Sequence, residues 1–492
     1  MHLEKMTTIE QEIPHQSKSS QTTLTSLLSA FGAAGVPVVL WKGMERVERA
    51  LCGDGDLDLL VGEGGSTKAS QIMTEHGFCH IENARWRTQP SVDDWFGVER
   101  FSGRLLHVQL YRRLVLGSAN SVQINVPGAE GIFARAVGEL PKAASPADAA
   151  ALRICRAALA RWFLPGRSRE ALLAEAREIQ STLGEADLAD AAGQLFDHTT
   201  AGLIVSGLAS GRLGRLRRRL KEEYRLVRAG GEGPLPYCLT VVARLNRRFF
   251  RLPILTRRRL GKPAPIVALI GSDGSGKSTV SRRLVDELDK KIDTRFIYFG
   301  TGDGPASLLR LPLIWLRSIR SRAGSSGAGK DGESAESESP QVPGLAKALW
   351  AITVAIERRA KLRRARRAAA SGIVVITDRF PQIEFPGIHD GPRLARWLEL
   401  KGGLRHRISV WEQGVYRRIA ETPPDLVVLL DVTLEVALAR RPEEPENELR
   451  RRIEVARSLT YSGTCRMIED ASQPLDTVVA GAFKQVVGRI GA

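Results

Sequence analysis

Paired cysteines, long apolar runs and aromatic residues are all scarce in this chain. Its five cysteines (Cys52, Cys79, Cys155, Cys238 and Cys465) are scattered and odd in number, and none stands in a CxxC pair. That argues against a disulfide framework and a zinc ribbon, and fits a reducing cytoplasm. Residues 1–20 are polar and lack the apolar centre of a signal peptide, so they read as a disordered tail. No run of 18 or more apolar residues occurs, so no segment is expected to span a membrane. With aromatics at 6%, no stretch offers a platform for stacking bases.

What is abundant is positive charge. The 492 residues carry a formal charge of +17 and a pI near 10.0. Such a surface attracts anions: nucleotides, nucleic acid, acidic polysaccharide or an anionic membrane face. A basic proteome that uses arginine for solubility gives the same number. The length is too great for one core and implies two or three domains.

The chain reads as three folded parts. Residues 21–130 mix helical spacing (Leu24, Leu27, Leu28, Phe31) with strand-like PVVLW (37–41), LDLLV (57–61) and LLHVQLY (105–111), which suggests a small α/β domain. Residues 131–230 are rich in Ala, Leu and Arg at helical period and suggest a helical domain. GGEGPLP (230–236) marks a break, and residues 231–263 read as a basic linker. Within it, Arg244 to Lys262 holds eight basic residues and no acid. It is either a phosphate-contacting segment or a solvated connector.

From residue 264 to 492 the pattern changes. PIVALI (265–270), RFIYF (295–299), GIVVIT (372–377) and DLVVLLDV (425–432) are short, nearly continuous apolar runs separated by helical stretches. That is the signature of parallel strands buried on both faces, hence of a doubly wound α/β domain. A Gly/Ser/Glu/Pro-rich insertion at 321–344 has no apolar face to bury and is expected to be disordered. ERRAKLRRARRAAA (357–370) is a strongly basic helix, either a solvated face or a patch for a polyanion or membrane surface.

GSDGSGKST (271–279) satisfies GxxxxGK[ST], between a strand and an amphipathic helix. Gly271, Gly274 and Gly276 let the backbone turn where a Cβ would obstruct it, so that N–H groups of Ser272, Asp273, Ser275 and Thr279 can converge on phosphate oxygens. The helix N-terminus adds partial positive charge at the same point. Lys277 can reach the β- and γ-phosphates of ATP, and the Ser278 hydroxyl can ligate Mg²⁺. In TDRF (377–380), Asp378 ends a buried strand, where open α/β sheets place ligands. It can hold Mg²⁺ or its water, and Arg379 can neutralise phosphoryl charge.

Together these motifs resemble the thymidylate kinase family over roughly residues 264–490, the insertion excluded. The resemblance implies a P-loop kinase fold, ATP and Mg²⁺ as cofactors, and a nucleoside monophosphate or related phosphorylated acceptor. PDLVVLLDVTLEVALARR (424–441) resembles the family's strand and helix leading into a lid, RRPEEPENELRRRIE. Gly274 stands where some members carry a P-loop arginine, so the charge-stabilising task would fall to Arg440, Arg441, Arg450 or Arg451. Asp273 matches the carboxylate that contacts the acceptor, and Asp390 is a further candidate contact. The family's Arg-Glu-Pro segment is replaced by YFGTGDGPASLLR (298–310), so the acceptor can differ from dTMP.

WKGMERVERALCGDGDLDLLV (41–61) resembles the polymerase-β-type nucleotidyltransferases. Asp56 and Asp58 alternate on a strand, share a face, and could hold a divalent metal. The alternative is a pair of turn aspartates. Met44 stands where that family wants a small residue after its glycine, and Gln109 stands where a third acid should be.

The expectation is an ATP-dependent kinase whose partners are a nucleotide and a phosphorylated acceptor, with a homodimer as an expected assembly. A nucleotide-responsive scaffold in a surface-polysaccharide context is the alternative. A nucleic-acid-directed ATPase, suggested by charge alone, ranks below both.

Overall fold

The computed structural model describes residues 22–226 and 258–491, apart from 45–46, 52–54, 85–88, 90, 100–103, 118–121, 161–168, 301–344 and 401, together with five positions between 238 and 245. The expected tail, most of the basic linker and the insertion 321–344 lie outside the described residues.

The N-terminal part is built on five strands: β1 (Val38–Lys42), β2 (Asp56–Val61), β3 (Cys79–Asn83), β4 (Val92–Val98) and β5 (Leu105–Tyr111). A short hairpin of β6 (Val115–Leu116) and β7 (Ile124–Asn125) follows. A late strand, β8 (Arg258–Leu260), completes the main sheet, whose order is β1-β2-β5-β4-β3-β8. Residues 258–260 are therefore a correction to the linker expectation, since they pair antiparallel with β3. Their backbone also ties into the C-terminal part: Leu260 N–H donates to Gly372 O at 2.8 Å, and Asp293 N–H to Arg258 O at 2.8 Å.

Strand alternation divides this sheet into two faces. On one face Leu57, Leu59, Leu106, Val108 and Trp95 pack under the helices Thr23–Ala33 and Ser66–Glu75. The other face is split. Val39, Trp41, Leu60, Val92 and Tyr111 join a core with the helices that follow. Phe96 and Leu105 instead join the core of the C-terminal sheet. Between these two apolar ends lie Asp56, Asp58, Asp94, His107 and Gln109, on alternating positions of β2, β4 and β5.

The helical part runs through Pro146–Leu159, Arg169–Ser181, Glu185–Leu195, His198–Ser210 and Gly214–Glu223. Its boundaries follow local chemistry. Ser145 caps the first helix, with proline at the first turn. The Asp197 carboxylate accepts from the N–H groups of Thr199 and Thr200. Gly211, at φ +68°, ends that helix in the left-handed conformation.

The C-terminal sheet is fully parallel: β9 (Ile266–Ile270), β10 (Thr294–Tyr298), β11 (Val374–Asp378), β12 (Leu426–Asp431) and β13 (Arg466–Asp470), in the order β10-β11-β9-β12-β13. Central β9 is buried throughout, which explains its uninterrupted apolar run. Val267 and Leu269 face the helices Lys277–Asp289 and Leu475–Gly491. Ile266, Ala268 and Ile270 face the helices Leu345–Ala370 and Gly403–Ala420. Helix Leu475–Gly491 also reaches the N-terminal sheet, where Cys79 Sγ meets Ile490 O at 3.1 Å. Among the described residues, no helix is long and apolar enough to cross a membrane.

Candidate active site

The glycine loop joins β9 to the helix Lys277–Asp289 at the carboxyl end of the sheet. Gly271 is required by space as well as conformation: at φ +152°, a Cβ would lie 2.6 Å from Leu430 O. Gly274 and Gly276 adopt φ +79° and +85°. The loop thus folds back on itself and presents Lys277 inward, only 7% exposed. Lys277 Nζ donates to Ser272 O at 2.5 Å.

Burial, aided by the Arg379 guanidinium, pushes the Lys277 ammonium down to about 8, against the pull of Asp273 and Asp378. A bound polyphosphate would restore its ordinary basicity. Binding should therefore take up a proton near pH 8, and triphosphate affinity should fall as pH rises through that value, when the free site loses its cation. Calorimetry in buffers of differing ionisation enthalpy checks this. Affinity unchanged between pH 7 and 9 would contradict it.

Asp378 lies at the end of β11, beside β9, and is 1% exposed. The Ser278 hydroxyl donates to its Oδ2 at 2.5 Å. Among the described residues its Oδ1 has no hydrogen-bond partner. A buried carboxylate oxygen without a partner is costly unless something else satisfies it. A hard dication coordinated through oxygen fits this donor set, with Ser278 and Asp378 as the residues that would hold it or its water. The hydroxyls of Ser272 and Ser275 are likewise buried and, among the described residues, unpaired.

Asp273 sits between two guanidinium groups. Arg379 reaches its Oδ1 at 2.9 Å and Arg452 its Oδ2 at 2.5 Å. Burial alone would raise this carboxyl, but Lys277, Arg379 and Arg452 together hold it well below the usual range. Arg379 itself adopts φ +67°, rare for a residue with a side chain, and its N–H donates to Leu269 O. Beside it, Arg358 is fully buried against the Asp390 carboxylate and the Tyr416 hydroxyl. The His389 Nε2–H donates to Arg452 O at 2.6 Å, and burial lowers its pKa.

The lid arginines separate clearly. Arg440 donates to Gly274 O and Ala471 O, at 3.1 and 3.0 Å, and so braces the glycine loop from outside. Arg441 and Arg450 are exposed and pair with Glu443 and Glu446. Arg451 is exposed as well. The lid arginine that reaches the loop's Asp273 carboxylate is Arg452, which sequence reasoning omits. It is held by Glu444, Glu448 and Asp273. Its spacing of four from Glu448 was visible in the sequence, but nothing local aims it at Asp273.

In the N-terminal sheet, Asp56 and Asp58 do share a face, and Asp94 on β4 is a third carboxylate that sequence reasoning missed. Each is already engaged. Asp58 Oδ1 accepts from Lys42 at 2.8 Å and from the Tyr111 hydroxyl at 3.1 Å. His107 bridges Asp56 and Asp94, at 2.7 Å from each nitrogen. Lys291, just beyond the phosphate-loop helix, reaches Asp56 at 3.3 Å. Burial opposes the charge on His107, but the two carboxylates outweigh it and raise its pKa. Protein cations thus already face one oxygen of each of the Asp56 and Asp58 carboxylates. Among the described residues, no group of three or more His, Cys, Asp or Glu is arranged to hold a metal ion.

No protein-family model matches the chain. Two Escherichia coli K12 proteins do, each described as an uncharacterized ATP-binding protein. YghR is 32% identical over 231 residues, which is 45% of this chain and 86% of YghR. YghS is 31% identical over 237 residues, 46% of this chain and 93% of YghS. Two solved structures of deoxyadenosine kinase from M. mycoides, one with dCMP and dCDP and one with dATP, are 13% and 12% identical, each with a TM-score of 0.26. They align over 44% and 45% of this chain and 97% and 98% of theirs, a likeness too weak to carry an argument. The identity to the two bacterial proteins, over most of their length, is different in kind: the chain belongs to the family of YghR and YghS.

Proposed function

We propose that the C-terminal half is an ATP-dependent phosphotransferase of thymidylate-kinase type, acting on a nucleoside monophosphate or a similar phosphorylated acceptor. The observation that carries this is the convergence at one sheet end. Buried Lys277, the Ser278–Asp378 pair and the guanidiniums of Arg379 and Arg452 all point to the glycine loop. The relatives named for ATP binding support the nucleotide.

In this reading an acceptor oxygen forms a bond to the γ-phosphorus as the bond to the bridging oxygen breaks, and ADP leaves. Loop N–H groups and Lys277 hold the β- and γ-phosphates in line. Mg²⁺, when bound near Ser278 and Asp378, would supply charge neutralisation at the phosphate oxygens. Arg379 and Arg452 neutralise equatorial charge from the acceptor side. Asp273, held ionised by both, orients them.

The deciding experiment offers ATP–Mg²⁺ with a panel of nucleoside monophosphates and phosphorylated sugars and reads ADP formation. Transfer to none of them, despite tight ATP binding, would reject the proposal. Arg452→Ala is expected to lower kcat by about 10²- to 10³-fold with little change in the KM for ATP, while Arg441→Ala leaves both nearly unchanged. Equal effects of the two substitutions would reject the role given to Arg452.

One observation favours a second reading, a nucleotide-responsive scaffold. The carboxylates of the nucleotidyltransferase-like sheet are occupied by Lys42, His107 and Lys291. That suits a joint better than a second catalytic centre.

A further inference from the structure

The basic helix noted in the sequence has a built feature that the phosphotransferase reading does not use. Arg359, Arg363 and Arg366 lie three and four residues apart on helix Leu345–Ala370 and so share one stripe. Arg418, on helix Gly403–Ala420, faces them across a cleft of about 100 Å³. Its floor is apolar, formed by Leu362 and Ile419, both buried. Among the described residues, none of the four arginines is paired with a carboxylate; Arg366 donates to Thr422 O and Arg418 to Gly414 O, both backbone carbonyls. Burial also lowers the pKa of Arg366, an electrostatic cost that no anion among the described residues offsets.

The cleft is separate from the site described above. Thr422, which receives Arg366, precedes Asp425, whose carboxylate accepts from the N–H of Ile266 at the start of β9. This is the amino end of the parallel strands, opposite the glycine loop. Four guanidiniums around a floored cleft of this size suit a compact, multiply charged anion better than a folded partner. Arginine forks match phosphoryl oxygens in pairs, and several charges are needed to balance four cations.

We propose that this inter-helix cleft is a second anion site, which binds a small polyphosphate, free or as the tail of a nucleotide. The test titrates inorganic tripolyphosphate calorimetrically into full-length Lys277→Ala protein, whose phosphate loop is weakened. One equivalent is expected to bind. Adding Arg359→Ala and Arg363→Ala should weaken binding at least tenfold, while adding Arg217→Ala and Arg218→Ala, on the basic helix Gly214–Glu223, should not. If Lys277→Ala does not fold, the same titration in otherwise unaltered protein should give two equivalents, falling to one with Arg359→Ala and Arg363→Ala. Failure to bind, or equal losses from both arginine pairs, would overturn the proposal, the latter by reducing it to general surface charge. ATP on the same variants identifies the source. Tighter binding than tripolyphosphate marks a nucleotide, and equal affinity marks the inorganic anion.

Discussion

Lys277→Ala is expected to abolish ATP-dependent phosphoryl transfer, lowering kcat/KM by on the order of 10³-fold or more while leaving the fold intact. The size follows from where the ammonium sits. It is nearly enclosed at the first turn of a helix and, among the described residues, has only a backbone oxygen, Ser272 O, within hydrogen-bond distance. Its depressed pKa records that the fold alone disfavours the charge. A triphosphate supplies the missing counter-charge, so the lysine acts mainly in the loaded enzyme. Removal should cost little stability, because Asp273 keeps Arg379 and Arg452. A coupled assay for ADP, beside a thermal melt, separates the two effects. Full turnover in the alanine variant would end the phosphotransferase assignment.

Arg358→Met should have the largest effect on stability. Arg358 is wholly buried, and its partner Asp390 is nearly so, with its side chain 5% exposed. The methionine keeps the apolar stem but strands a carboxylate in the interior. Breaking one side of a buried pair costs about 3–5 kcal/mol, which for a domain of this size lowers Tm by roughly 10 °C. Removing both charges, with Arg358→Met and Asp390→Asn together, should recover most of the loss. Catalysis should fall in the single variant as well. Asp390 already lies 3.9 Å from Arg379, and freed from Arg358 it would draw that guanidinium away from Asp273. A single variant as stable as the parent would show that the pair contributes no net stabilisation.

The parts legible in the sequence are those whose chemistry is local. The glycine loop is one contiguous stretch, and the three interior parallel strands, β9, β11 and β12, announce themselves because both faces need apolar residues. Edge strands are less regular: β10, with one buried position, still reads as an apolar run, whereas two others do not. β13 reads RMIED, with no buried position, and β8 is three residues inside an arginine-rich run. Strands β3 and β4 are hidden by acids in CHIEN and VDDWFGV. Asp94 was obscured in the same way: beside Asp93 it gives no sign of which carboxylate points inward, and only the β4–β5 register places it opposite Gln109. Arg452 illustrates the other limit. Arg450, Arg451 and Arg452 are consecutive, so each points about 100° from the next around the helix. Which one meets Asp273 depends on how helix Glu446–Ser458 packs, and composition carries no record of that.

The helix that begins at Lys277 ends at Asp289. Thirteen residues make a stiff rod about 20 Å long, and Lys291, just past its end, grips Asp56 in the other sheet. Displacement at one end of such a rod is felt at the other. Trp41 and Trp95 are buried in the strands around that grip, so the intrinsic fluorescence of the N-terminal half is positioned to report, without any label, when the distant loop fills.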